Sequence, residues 1–274
     1  MSRWVSSLVL VSCLAMPGAC AQSAVRGNPK AAVSDELPPW MTRGEQIRLD
    51  VAETLLETQN TIGALEILRS MRAEGYEGPE LDLLQGKALR IDGLYEESER
   101  LLLRSDEKMR NDPRPASELC VLYADSGHVD DAVLQCRTAV KRDEASAQAW
   151  NNLGFLLLAQ DQSDEALEAI ARAVELDGTN PRFRNNLGLA QATLGRHEAA
   201  FRTFQSTLPR ALAAFNVAVA LERAQDIDGA IAYYERALTF DPQLAEASVA
   251  SERLRMVPSP TSGPTTELPS GDPK

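Results

Sequence analysis

Apolar side chains recur between residues 45 and 256 at i, i+3 and i+4, the period of a helix that buries one stripe. The stripes come in pairs. Val51, Ala52 and Leu55 form one, and Ala64, Leu65 and Leu68 face them from a second. Leu153, Gly154 and Leu157 are answered in the same way by Ala166, Ile170 and Ala173. The motif Asn151-Asn152-Leu153-Gly154 returns as Asn185-Asn186-Leu187-Gly188, 34 residues on. An alanine, Ala166 and then Ala200, stands 12 residues after each glycine. Small side chains at that spacing let the backbones of two antiparallel helices approach closely. Set backwards, the same ruler lands on Cys120 with Ala132, Gly86 with Ser98, and Ala52 with Ala64, all small. Forwards, Ala218 and Ala230 keep the inner spacing of 12, although Ala230 follows Ala200 by only 30 residues. A period of 34 with paired helical stripes is the signature of stacked helix–turn–helix units, so the chain is predicted to be all-α.

The ruler divides the array into 45–78, 79–112, 113–146, 147–180, a unit from Pro181, and 211–244. Pro79, Pro113 and Pro181 share one position, the first helical residue, where the missing N–H of proline would have no partner anyway. Asp112 and Asn180 precede two of them as N-caps. Gly93, Gly127 and Gly195 mark turns, and Gly93 is predicted to end its helix with a positive φ. The fifth unit is four residues short, with Pro209 closing its second helix early. Four residues are close to one helical turn, so the buried stripe keeps its face. A shortened helix and a local change of superhelical pitch are expected there. Residues 245–256 continue as a helix with Glu252, Arg253 and Arg255 on it, a capping helix with a polar outer face.

Trp150, Leu153, Gly154, Ala166, Ile170 and Ala173 fall on the consensus positions of the tetratricopeptide repeat (TPR), with isoleucine replacing the usual phenylalanine. The last unit matches with Ala230, Tyr234, Ala237 and Pro242. The chain thus resembles the TPR family over roughly three quarters of its length. The resemblance implies a TPR solenoid, a right-handed superhelix of antiparallel helix pairs with about six repeats. It also implies a concave groove lined by first helices. Asn151, Phe155, Leu158, Asn185, Leu189, Phe215 and Val219 occupy groove positions in the carboxy-terminal half. Glu53, Glu57, Glu80, Lys87 and Arg90 occupy them in the amino-terminal half. The series Asn152, Asn186 and Asn216 resembles the asparagine ladder with which some TPR proteins hold peptide backbone. Bonding of these asparagines to neighbouring helices is the alternative. The lysine/asparagine clamp for a C-terminal carboxylate is absent, with Ser117 and Val121 in its place.

Ahead of the array, Arg3 and the charge-free, mostly apolar residues 4–16 read as a secretory signal. Ala19-Cys20 places a small residue before a cysteine and resembles a bacterial lipobox, so 1–20 is read as a signal with lipidation at Cys20. Two other readings stay open: Leu10-Val11-Ser12-Cys13 as the lipobox, and plain cleavage after Ala19-Cys20-Ala21. Residues 21–44 are polar and carry Pro29, Pro38 and Pro39, a flexible tether. Residues 257–274 are rich in proline, serine and threonine and read as a disordered tail. The expected location is the cell envelope, lipid-anchored to the outer membrane and facing the periplasm. A soluble periplasmic or secreted protein is the alternative.

Composition narrows the partner. With a net charge of -12 and no run of lysine or arginine, nucleic acid is not expected. No catalytic constellation stands out, and no cofactor, metal or small-molecule substrate is implied. His128 and His197 fall in inter-helix turns without a clustered ligand set. Cys120 and Cys136 lie on the first and second helix of the third unit, opposite each other across the turn at Gly127, and are predicted to form a disulfide in an oxidising compartment. Two buried thiols are the other reading. The expected function is a non-catalytic TPR scaffold lipoprotein that binds a protein or peptide segment of an envelope assembly. Its arrangement resembles the lipoproteins of pilus assembly and secretin insertion, in particular those of tight-adherence (Flp) pili. The alternative is an adaptor for cell-wall enzymes.

Overall fold

The computed structural model describes residues 41–256. Cys20, Cys13, the signal, most of the tether, Trp40 and the tail lie outside the described residues. What is described is helical throughout, with short connections, in two compact units. The first extends to Ala190 and the second begins at Gln191. Among the described residues, no helix is long and apolar enough to cross a membrane.

The first unit contains α1 (Arg43–Glu57), α2 (Thr61–Ala73), α3 (Pro79–Ile91), α4 (Tyr95–Lys108), α5 (Pro113–Asp125), α6 (Val129–Arg142), α7 (Ala147–Ala159) and α8 (Ser163–Leu176). It also holds most of α9 (Pro181–Thr193). From α1 to α8 each odd helix pairs antiparallel with the even helix that follows it, and α2, α4 and α6 each pack on the next odd helix. The start signals act as the ruler requires. Pro79 and Pro113 are the first residues of α3 and α5. Asp112 accepts from Arg114 N at 2.8 Å and Asn180 from Arg182 N at 3.0 Å, satisfying amides the helices leave unpaired. A capping box, Thr42 with Glu45, opens α1.

The small positions work by close approach. A Cβ on Gly154 would stand 2.5 Å from Ile170 Cγ1 and 3.0 Å from the carbonyl oxygen of Ala166. On Gly86 it would stand 2.7 Å from Leu102 Cδ2. Ser98, in the row otherwise held by alanine, is fully buried because its hydroxyl donates to the carbonyl of Gly86 at 2.7 Å. Cys120 and Cys136 take the corresponding positions in the third pair, with Cα atoms 5.1 Å apart and their sulfurs paired.

The turns carry a second periodicity. Gly93, Gly127 and Gly195 have φ of 78°, 83° and 73°. Gln59, Asp161 and Gln225 hold positive φ of 62°, 60° and 62° at the equivalent turns of the other pairs. The stop is therefore a property of the backbone path, and glycine is its cheapest occupant, not a requirement.

One stripe differs from expectation. Leu49, Ala52 and Leu56 are the buried face of α1, and Val51 is 44% exposed. Position 51 is a stacking position. Its equivalents Gln85, Leu119 and Leu153 are buried in repeats that have a repeat before them, whereas no described helix precedes α1.

The second unit contains α10 (His197–Gln205), α11 (Arg210–Arg223), α12 (Ile227–Phe240) and α13 (Ala245–Arg255). Helix α10 has 9 residues against 14 in α12, so the four-residue shortfall of its repeat falls within this helix and its end. It is held by aromatic contacts. Phe201 stacks on Phe240 with ring centroids 6.2 Å apart, and the Arg236 guanidinium lies 4.0 Å over the Phe201 ring. Helix α13 buries Ala247, Ala250, Ser251 and Leu254 and exposes Glu252, Arg253 and Arg255.

Candidate binding surface

In the first unit the odd helices α1, α3, α5 and α7 lie side by side and present a common face. Glu53, Lys87, Val121, Phe155 and Leu189 follow one another at the 34-residue period and are all half-buried. Half-burial in every repeat is what a surface row needs: the stem packs and the tip stays accessible. The row changes character along the unit, from charged at Glu53 and Lys87 to apolar from Val121 onward.

The basic groups of the charged end are paired within the protein. Arg90 donates to Asp125 Oδ2 at 2.8 Å and to Glu118 Oε2 at 3.2 Å, and Lys87 Nζ lies 3.7 Å from Glu118. These bonds join α3 to α5, so they stitch adjacent repeats. Tyr123 adds another such link by donating to Glu99 Oε1 at 2.7 Å. Burial, and then the Glu99 carboxylate, raise its phenol above the ordinary tyrosine value.

Two of the expected groove residues are interior. Asn151 is 2% exposed, and its Oδ1 accepts from Asn186 Nδ2 at 2.8 Å. It ties α7 to α9 and is not available to hold a partner's backbone. Its row contains Leu49 and Leu83, also buried, which is the signal the sequence offered. Leu158 is likewise buried, within the core that contains Leu153 and Ile170. Asn152 accepts from Gln148 Nε2 at 2.5 Å along its own helix. Phe155, Asn185 and Leu189 stay half-buried.

In the second unit Val219 is half-buried, and Phe215 packs its ring 5.4 Å from that of Tyr234. Tyr234 donates to Glu222 Oε2 at 3.0 Å, and Arg253 of α13 donates to the same carboxylate at 2.8 Å. Phe215 is therefore part of the wall between α11 and α12 as well as a surface residue.

Sequence reasoning missed Asp82. Its side chain is 1% exposed between Arg72 and Arg104. Arg72 donates to it at 2.7 Å, and Arg104 Nε donates at 2.6 Å. Gln85 accepts from Arg72 Nε at 2.9 Å and completes a polar cluster joining α2, α3 and α4. Its row holds Arg48, Ala116, Trp150, Arg184 and Ala214, charged at two other positions, so the sequence carried no signal of its burial. Every oxygen here is used in packing, so the cluster is structural. His128 Nδ1 is 3.0 Å from Ser126 Oγ, and His197 meets Tyr233 edge-on at 6.3 Å. A cavity of about 550 Å³ beside the α2–α3 loop is lined by Glu45, Glu74, Tyr76, Glu77 and Lys108. Glu45 is engaged in its capping box and Glu74 by Arg48 at 2.5 Å.

A stack of antiparallel helix pairs with a half-buried row on one face is a helical-repeat scaffold. The tetratricopeptide-repeat family models match residues 121–181, 156–211 and 211–244, so the helix pairs within 121–244 match tetratricopeptide repeats. Human tetratricopeptide repeat protein 7A is 27% identical over 142 residues, 52% of this chain and 16% of the relative. The peroxisomal targeting signal receptor of Yarrowia lipolytica is 28% identical over 87 residues, 32% of this chain and 14% of the relative. The chain thus spans only a small part of these relatives. Among solved structures, the APC/C hetero-tetramer Cut9–Hcn1 superposes with a TM-score of 0.58 at 15% identity, covering 76% of this chain and 42% of that one. YrrB, described as a TPR protein with an unusual peptide-binding site, gives 0.54 at 18% identity over 68% of this chain and 97% of that one. MamA from Desulfovibrio magneticus RS-1 gives 0.51 at 21% identity over 68% and 99%. At these identities the likeness is one of fold.

Proposed function

We propose that this chain is a non-catalytic scaffold lipoprotein of the cell envelope, lipidated at Cys20 and facing the periplasm from the outer membrane. There it holds a segment of a partner protein during pilus assembly or secretin biogenesis. The observation that carries the binding role is the half-buried apolar row Val121, Phe155 and Leu189. Accessible apolar side chains repeated along one face suit an extended or helical polypeptide segment. One relative sharing these repeats is named a peroxisomal targeting signal receptor, which agrees with a repeat surface that receives a polypeptide signal. The envelope assignment is supported by the charge-free segment after Arg3, the small residue before Cys20, and the opposed pair Cys120 and Cys136.

Two measurements test it. Mass spectrometry of the mature N-terminus should find diacylglyceryl-modified Cys20. A free terminus at Gln22 would show plain secretion, and a lipidated Cys13 would move the anchor. Capture from solubilised envelope should bring down a secretin or pilus-assembly component. A peptidoglycan hydrolase in its place would make the chain a cell-wall adaptor.

A further inference from the structure

The turn between α3 and α4 breaks the rule of the other turns. Ile91, Leu94 and Tyr95 are exposed there by 44%, 48% and 37%. One period earlier the same positions hold Glu57, Asn60 and Thr61, and one period later Asp125, His128 and Val129. The apolar choice has a local cost. Asn60 and Asp226, at the position equivalent to Leu94, cap α2 and α12 by accepting from Gly63 N at 3.1 Å and Gly229 N at 3.0 Å. Leu94 cannot accept, and α4, like α6, α8 and α10, begins without a side-chain cap. Three apolar groups at one turn, where the equivalent turns are mostly polar, are not needed by the core, since none of them is buried.

Their surroundings say what kind of surface would cover them. Asp92, Glu96, Glu97 and Asp131 are exposed around this turn and the next, without an ion-pair partner among the described residues. No lysine or arginine occurs within 91–99 or 125–136; of the flanking arginines, Arg90 pairs with Glu118 and Asp125 and Arg137 with Glu165, and Arg100 stands one turn further along α4. Glu96, Glu97 and Asp131 lie in the first turns of α4 and α6, where the helix dipole favours them. Asp92 is the C-cap of α3, where the dipole opposes it. An acidic rim around an apolar knob repels another copy of this acidic chain and repels anionic lipid. It attracts a cationic, apolar surface.

We infer that the α3–α4 turn is a docking site for a basic amphipathic polypeptide segment, with Ile91, Leu94 and Tyr95 as the apolar anchor and Asp92, Glu96 and Glu97 as the charged rim. The site is separate from the row through Phe155 and does not depend on it.

The test uses the full chain and a short fluorescent lysine–leucine amphipathic peptide as probe. The variant I91E/L94N gives this turn the residues that the first repeat carries at Glu57 and Asn60, so it should melt no lower than the parent. Its affinity for the probe should fall about tenfold or more. Glu96→Lys with Glu97→Lys should weaken binding as well and serves as a second variant that leaves the apolar side chains in place. Leu134→Asn, an exposed apolar residue in the middle of α6, should bind as the parent does. The inference is overturned if I91E/L94N binds unchanged, if L134N loses as much, or if a lysine–serine peptide binds as tightly as the lysine–leucine one. It is also overturned if the variant abolishes self-association in sedimentation equilibrium or flotation with phosphatidylglycerol vesicles, since the occupant would then be a second copy or a membrane.

Discussion

Cys120 on α5 and Cys136 on α6, with Cα atoms 5.1 Å apart, stand at the two positions of the third repeat where Gly154 meets Ile170 in the fourth. The helix pair can thus be closed in two ways: a glycine that admits a branched side chain, or two cysteines that meet midway. We expect the pair to be oxidised in the mature protein. Closing a loop with a sequence separation of 16 contributes about 3 kcal/mol in the chain-entropy account. Urea unfolding with and without reductant should show that loss. Cys120→Ala with Cys136→Ala should match the reduced protein, and Cys120→Gly with Cys136→Ile should recover part of it by restoring the packing of repeat four. Two alkylatable thiols in the folded, unreduced protein would refute the bond.

The two glycines of this row should respond unequally to alanine. On Gly154 the added Cβ meets backbone, the Ala166 oxygen at 3.0 Å and the Ile170 nitrogen at 3.1 Å, as well as Ile170 Cγ1. On Gly86 it meets the Leu102 side chain, Cδ2 and Cγ each at 2.7 Å, and its backbone contact, the Ser98 oxygen at 3.3 Å, is longer. Gly154→Ala should cost about 1–3 kcal/mol, the usual range for overpacking, and Gly86→Ala clearly less. Equal midpoints in denaturant for the two variants would show that backbone contact is not what limits this approach.

How much of this was legible in the chain follows from where each property resides. The helix pairs, their turns and the shortened α10 follow from a period and small residues, which are local or one repeat apart. The burial of Asn151 and the exposure of Val51 depend on what lies in the neighbouring repeat. Asn151 is buried because Asn186 reaches it from α9. Val51 is exposed because α1 has no described helix before it. Asp82 shares its row with Arg48 and Arg184, so its charge gave no sign of burial, and that Arg72 and Arg104 converge on it from two different helices needed coordinates.

The turns without glycine should be improvable. Gln59 holds a φ of 62° that its side chain disfavours and has no role in the core. Gln59→Gly removes that strain at the cost of unfolded-state entropy, leaving a net gain of about 0.5–1 kcal/mol. The same change in the helix interior, at Gln46, should destabilise. A lower melting midpoint for Gln59→Gly than for the parent would contradict the backbone account of the turn.

Stability should fall on the alkaline side through the tyrosines. Burial, with Glu80 nearby, pushes Tyr76 up to about 12. Burial, with the hydrogen bond to Glu198, pushes Tyr233 up to about 12. Tyr123 and Tyr234 are raised for the same reasons, by burial and by Glu99 and Glu222. An unfolded tyrosine ionises near ~10. The fold therefore favours the protonated phenol, and the stability this contributes is complete below pH ~10 and is lost as pH rises through about 12. Tyrosinate absorbance should lag behind that of the urea-unfolded chain, and the lag should vanish with the helical circular dichroism. Coincident titration curves for folded and unfolded chain would show that these phenols are not protected.

Partner binding gives the last prediction, and Phe155 is the residue to truncate. It is half-buried, so part of its ring is available, and it lies in the row between Val121 and Leu189. An aromatic anchor commonly supplies an outsized part of an interface, so Phe155→Ala should weaken binding of the captured partner by about 2 kcal/mol. Phe215 is a poorer choice. Its ring packs against Tyr234, and removing it should lower the melting midpoint of the second unit as well as any affinity. The controls are Glu168→Ala and Glu175→Ala, both exposed on α8, away from the row. Isothermal titration against the partner, with circular dichroism to verify the fold, separates the outcomes. If Phe155→Ala melts as the parent does and binds as tightly, the face of the odd helices is not where the partner sits. The knob at the α3–α4 turn would then be the surface to test next, because Ile91, Leu94 and Tyr95 are exposed there and its own core does not use them.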